Sequence, residues 1–137
     1  MSIYKIGIGI HDITGPCSGV AMAGYAMPDQ KANGIHMRLR SRAFIIKKDN
    51  KSIVYVCADL GMIFQSVSLA VLKKLKDEFG DLYNKDNVIL TATHTHSGPG
   101  GYSHYFLYNL SITASDEQNF KAITDGIFQS IRKAHEH

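Results

Sequence analysis

The sequence predicts an α/β fold, a mixed β-sheet with helices packed against it. Short β-branched and apolar runs recur around Tyr4–Ile13, Met37–Lys48, Ile53–Ala58 and from Val88, each bounded by turn-type residues. Two longer stretches, 64–79 and from Ser115 onward, repeat apolar residues at the spacing of a helix with one buried face. The runs at 37–48 and 53–58 flank Asp49-Asn50 and read as a hairpin, so the sheet contains antiparallel pairing.

In chain order, the first strand alternates Ile6, Ile8 and Ile10 with Gly7 and Gly9, and its small face expects a strand or helix packed closely on it. The glycines lie inside the strand and no helix start follows, so this is no dinucleotide fingerprint. Residues 14–34 read as one long loop, with Met22, Tyr25 and Met27 expected to plug it onto the core rather than line a pocket. The strand of 37–48 puts Leu39, Ser41, Ala43 and Ile45 on one face and Arg38, Arg40 and Arg42 on the other, either solvated or salt-bridged. The run Ile53–Ala58 reads as a buried strand, with Cys57 a small core residue. Asp59 at its end is a candidate metal or substrate group, although capping or orienting is the commoner job. A helix follows from Phe64 to Phe79 with Val67, Val71 and Leu75 in its stripe and Gly80 as its stop. Ser115-Asp-Glu-Gln118 has capping-box spacing and opens a last helix striped by Phe120, Ile123, Ile127 and Ile131. Its end, Ala134-His-Glu-His137, carries no stop signal and is expected to continue into something longer. The histidines at 135 and 137 point different ways at a helix end and are set aside as a metal pair.

Composition narrows the function classes. A chain of 137 residues makes one domain with a real core, and 45% apolar with 20% charged residues is ordinary for a globular protein. The net charge of +3 is spread along the chain, which argues against nucleic acid. Two cysteines, Cys17 and Cys57, form no disulfide framework and have no zinc spacing. No apolar run approaches a membrane span, and because the start enters a strand directly no signal peptide is expected within this stretch, as would also hold after removal of one.

The chemistry concentrates in Val88-Ile-Leu-Thr-Ala-Thr-His94-Thr-His96-Ser-Gly-Pro-Gly-Gly101. A buried strand opens here into a loop that can continue neither strand nor helix, and ligands collect at such strand ends in α/β sheets. Two residues apart on extended backbone, His94 and His96 point to one side and face one site. Either both serve it, or one binds metal while the other contacts substrate; the plain alternative is a ring that packs or caps the loop. The aromatic segment Tyr102–Tyr108 either walls a pocket or buries itself.

Five motifs now carry a resemblance: Ile6–Gly15, Met22–Tyr25, Gly34–Phe44, Asp59–Gln65 and Thr93–Gly101. In this order, and continuing through Tyr105–Leu110 into the final helix, they resemble the neutral ceramidases, most of all the bacterial members. The resemblance implies an amidase that cleaves the N-acyl bond of ceramide to sphingosine and fatty acid. It implies one zinc ion held by two histidines, a glutamate and a tyrosine. His94 matches the first of those histidines, and His96 matches a histidine near the zinc with a substrate-contacting or supporting role. The other ligands, an oxyanion-contacting Arg and a Ser of the family have no match in 1–137. The chain is therefore expected to be the incomplete N-terminal portion of a larger catalytic domain, unable alone to hold zinc tightly or turn over ceramide. Expected partners are the sphingolipid substrate, a membrane surface through that substrate, and the rest of the parent domain. A secreted or extracytoplasmic setting is implied by the family. The competing reading is a lipid- or metal-binding module of the same fold without catalysis. A self-contained metal site built from His94, His96, His104 and His11 is disfavoured, because it needs four histidines to converge from separate loops.

Overall fold

The alternation at the start of the chain forms β1 (Lys5–Asp12), and its glycine face is the inner one. A Cβ on Gly7 or Gly9 would run into the backbone of Ala134 or Ser130, so the final helix lies directly on the strand. Ile6, Ile8 and Ile10 consequently point outward and are more than half exposed. The computed structural model describes residues 3–25, 27, 29–109 and 116–137.

Strands β4 (Arg40–Lys48) and β5 (Lys51–Ala58) pair antiparallel around a turn with Asp49 at φ +54°. Helix α1 (Gln65–Phe79) then crosses over to β6 (Val88–Ala92), which lies parallel to β5. The sheet order is β1-β4-β5-β6, a mixed sheet as expected. Within the stretch read as one loop, β2 (Ser18–Ala21) and β3 (Lys31–Asn33) form a separate bulged pair. Such short, polar strands lack an apolar alternation to announce them. The short α2 (Phe106–Asn109) and the long α3 (Glu117–Glu136) complete the chain. No helix among the described residues is long and apolar enough to cross a membrane.

One face of the sheet holds the core. Ala43, Ile45, Val54, Val56 and Ala58 meet Val67, Val71 and Leu75 of α1 and Ile123, Ile127 and Ile131 of α3. Each fully buried aliphatic side chain of this kind contributes about 1.5–3 kcal/mol relative to exposure. The buried Ser130 hydroxyl donates to the Ile127 carbonyl, so its 2.8 Å contact with Ser41 has Ser41 as donor. Gly80, at φ +63°, stops α1 as expected.

Several expectations change. β5 is buried on one face only: Ile53 and Tyr55 are exposed, and Cys57 is half-buried on the outer side rather than in the core. β6 has no strand beyond it among the described residues and is half-buried, not interior. The cap of α3 is Asp116, whose carboxylate accepts the Asn119 N–H at 2.9 Å; Ser115 lies outside the described residues.

An ion pair at 2.8 Å joins Lys74 of α1 to Asp125 of α3, and Lys121 also contacts Asp125. Burial pushes the Asp125 carboxyl up, but hydrogen bonds and charge from Lys121 and Lys74 outweigh it and hold it below its ordinary value. Asp12 behaves alike: burial raises it, while Thr14 hydrogen bonds with Arg38 and Arg40 bring it below the ordinary value. A carboxyl depressed by folding contributes stability above its unfolded pKa and loses it as pH falls through the folded one. Urea stability is therefore expected to fall as the pH drops below about 4, less steeply in an Asp12→Asn/Asp125→Asn variant. Equal slopes in the two proteins would count against these pairs.

Candidate active site

The strands β1, β5 and β6 run in one direction, so their carboxyl ends share an edge of the sheet. The histidine loop leaves β6 at that edge. Thr93 N–H donates to the Ala58 carbonyl at 2.9 Å and Thr95 N–H to the Leu60 carbonyl at 3.1 Å, one bond on each side of His94. His94 itself has φ +62°, a left-handed backbone that costs a non-glycine residue roughly 1–2 kcal/mol. The two imidazoles do meet at one site, edge to face with centroids 5.1 Å apart. A turn at His94 achieves this, not the extended alternation expected, because the strand ends at Ala92.

His96 is the anchored ring. Its Nδ1 lies 3.0 Å from the Ala23 carbonyl, which only accepts, so Nδ1 carries a proton, and in the neutral ring Nε2 holds the lone pair. The Tyr25 ring meets it edge to face at 5.7 Å. Gly24 adopts φ +85°, and a Cβ there would overlap the His96 imidazole. Gly24→Ala is thus expected to displace His96, read as loss of the Nδ1–H signal to Ala23 in NMR, with the core packing intact. No hydrogen bond engages the His94 ring among the described residues.

The loop is clamped from two sides. Ala23 N–H donates to Gly98 carbonyl at 2.9 Å, and Gly100 N–H to Ala21 carbonyl at 3.0 Å. From α3, the buried Asn119 amide donates to the carbonyls of Pro99 and Gly100 at 3.0 and 2.8 Å. Sequence reasoning missed Asn119 and the Ala23–Gly24 turn. One signal existed: Asn119 stands four residues before Ile123, a polar group in line with the apolar stripe of α3.

His94 and His96 border a cavity of about 280 Å³ whose apolar wall includes Met62, Phe64, Tyr102 and Leu107. The aromatic segment therefore walls a pocket. Tyr102 is buried against Phe64 at 5.1 Å, and its hydroxyl donates to the Met62 carbonyl at 3.3 Å. Burial raises its pKa, keeping it neutral. Met22 is half-buried, but Tyr25 and Met27 are exposed, so they do not plug the loop.

The other candidates lie elsewhere. His11 sits on β1 at the opposite side of the sheet, 3.0 Å from Lys133 Nζ. His104 stacks on Tyr105 at 4.0 Å, and His135 bonds the Tyr83 hydroxyl at 2.7 Å. Among the described residues, no three His, Cys, Asp or Glu converge into a metal cage. Asp59 orients rather than caps: it pairs with Arg42 at 2.9 Å, while the N-cap position of α1 is Phe64, with no side-chain cap. Arg38 and Arg40 reach Asp12 at 3.6 and 3.5 Å, so the arginine face is salt-bridged.

A family model described as neutral/alkaline non-lysosomal ceramidase, N-terminal, matches residues 4–137. The neutral ceramidase of Pseudomonas aeruginosa is 52% identical over 133 residues, 96% of this chain and 20% of that protein. Neutral ceramidase A of Dictyostelium discoideum is 51% identical over 98% of this chain and 19% of its own length. The crystal structure of neutral ceramidase from Pseudomonas aeruginosa superposes with TM-score 0.97 at 50% identity, covering 100% of this chain and 22% of that one. A ceramidase complexed with C2 gives TM-score 0.96, also at 50% identity. The chain thus spans about a fifth of the length of the relatives it matches.

Proposed function

The chain belongs to the neutral/alkaline non-lysosomal ceramidase family, and from that premise we propose that it supplies one wall and two histidines of a zinc-dependent amidohydrolase acting on ceramide. In this reading His94 holds the zinc ion and His96 contacts the substrate. The observation that carries it is the pair itself, two imidazoles 5.1 Å apart lining an apolar cavity, one of them with no hydrogen bond to its ring among the described residues.

The donor chemistry fits. A neutral imidazole is a good zinc ligand, and His94 has no competing hydrogen bond among the described residues. A catalytic zinc site needs several protein ligands, and the second histidine, the glutamate and the tyrosine that the resemblance implies would be supplied by a protein of family length. When bound, zinc supplies Lewis acidity, polarising an amide carbonyl and making water acidic enough to attack near neutral pH. His96 is preset for a different task. With Nδ1–H fixed on Ala23, Nε2 accepts a hydrogen bond or a proton from the substrate. Met62, Phe64, Tyr102 and Leu107 offer the hydrocarbon of a sphingolipid an apolar surface and exclude water beside the histidines. Because ceramide resides in bilayers, the protein is proposed to work at a membrane surface, and outside the cytoplasm.

The test measures zinc and ceramide hydrolysis in a protein of family length and in this chain alone. One zinc per long chain is expected, with activity lost to a chelator and restored by zinc, and neither property in the 137-residue chain. Hydrolysis by a metal-free long protein would overturn the zinc reading. Tight lipid or zinc binding without hydrolysis would favour the non-catalytic module.

A further inference from the structure

Outside the cavity wall, the residue after β5 is fixed to β4 with unusual thoroughness. Asp59 accepts hydrogen bonds from the Arg40 N–H at 2.9 Å and from both terminal nitrogens of Arg42 at 2.9 and 3.1 Å. Its own N–H donates to the Arg40 carbonyl at 2.9 Å. A carboxylate held by a guanidinium fork and a main-chain N–H is fixed in both position and rotation.

The neighbours of Asp59 carry the histidine loop. The carbonyl before it, Ala58, takes the Thr93 N–H, and the carbonyl after it, Leu60, takes the Thr95 N–H. His94 hangs between those bonds in its left-handed conformation. A non-glycine residue stays there only where its surroundings over-determine it.

We propose that the Arg42–Asp59 pair positions the histidine loop, locking the Ala58 and Leu60 carbonyls from which the turn at His94 is suspended. The assignment rests on the reading of His94 and His96 as site residues. Both members of the pair act through the backbone. They line a separate cavity of about 650 Å³ together with Thr95 and Ser97 of the loop. An ordinary surface ion pair would contribute little and nothing local.

Amide exchange and ring-proton contacts in the 137-residue chain, followed by NMR, separate the two. In Asp59→Ala, exchange at Thr93 and Thr95 is expected to quicken by about tenfold or more relative to Ile127 in the core of α3. The His94–His96 ring contact is expected to vanish with it. Arg42→Met should reproduce the loss. Asp59→Asn, whose amide oxygen still accepts from the Arg40 N–H, should restore part of the protection. Unchanged Thr93 and Thr95 exchange in Asp59→Ala would overturn the proposal. So would losses that track Ile127 in all three variants, or failure of all three to fold, since either describes global stability alone. Neither zinc nor ceramide enters the measurement, so a failed ligand assignment for His94 is distinguishable from a failed positioning role.

Discussion

His94→Ala in a protein of family length is expected to abolish zinc retention and to cut ceramide hydrolysis by more than a hundredfold. Loss of a group that only supports a ligand already costs about 10–100-fold, and His94 is read as a ligand itself. His96→Ala should behave differently, lowering hydrolysis while zinc stays bound, because its Nδ1 is committed to Ala23. The left-handed backbone adds a second readout. Asparagine tolerates φ near +60° better than most residues, so His94→Asn is expected to match or slightly exceed the thermal stability of the zinc-free parent while activity falls. A variant that loses activity only in proportion to unfolding would refute a direct role. The measurements are zinc content, kcat/KM and melting temperature on the same preparations.

The largest structural effect is expected at the contact between β1 and α3. In Gly9→Ala the added methyl meets the Ser130 carbonyl and the Ala134 backbone, neither of which has a side chain's freedom to rotate away. Overpacking of this kind costs about 1–3 kcal/mol and sometimes more. Because the obstacle is helix backbone, a value near 3 kcal/mol is expected, which lowers the melting temperature by roughly 10 °C for a domain of this size. Gly7→Ala, against the Ala134 carbonyl, should act similarly. Gly34→Ala, with open space around it, is the control and should change little. Thermal unfolding followed by circular dichroism decides it. A melting temperature in Gly9→Ala equal to that of Gly34→Ala would mean that the helix does not rest on the strand as described.

The same contact shows what the sequence could reveal. Alternation told which residues of β1 share a face, and the glycines announced a close neighbour, which is α3. It could not tell which face of the sheet is inner, because both are apolar. Ile6, Ile8, Ile46, Ile53, Tyr55 and Ile89 stand exposed on the outer face, as hydrophobic by composition as the core residues behind them. That symmetry is why Ile53–Ala58 read as fully buried and Cys57 as core. The helical stripes were less ambiguous, since Val67, Val71, Leu75, Ile123, Ile127 and Ile131 leave one apolar side only. For the site, the two histidines were legible from their place between a strand and a glycine-rich loop. Their supports were not. The Ala23 carbonyl that sets the His96 tautomer is 73 residues away, and Asn119 reaches the loop from 20 and 19 residues further on. Such partners are chosen by topology, and no local pattern records them. The left-handed turn at His94 was likewise invisible, since histidine is commoner at positive φ than most residues but far too rarely found there to mark a turn by itself.

The most direct measurement is anomalous diffraction at the zinc edge from crystals of a family-length protein. A peak about 2.0–2.1 Å from a ring nitrogen of His94 is expected, the ordinary zinc–imidazole distance. Zinc bound by other side chains with the His94 ring standing clear, or an active enzyme without a peak, would contradict it.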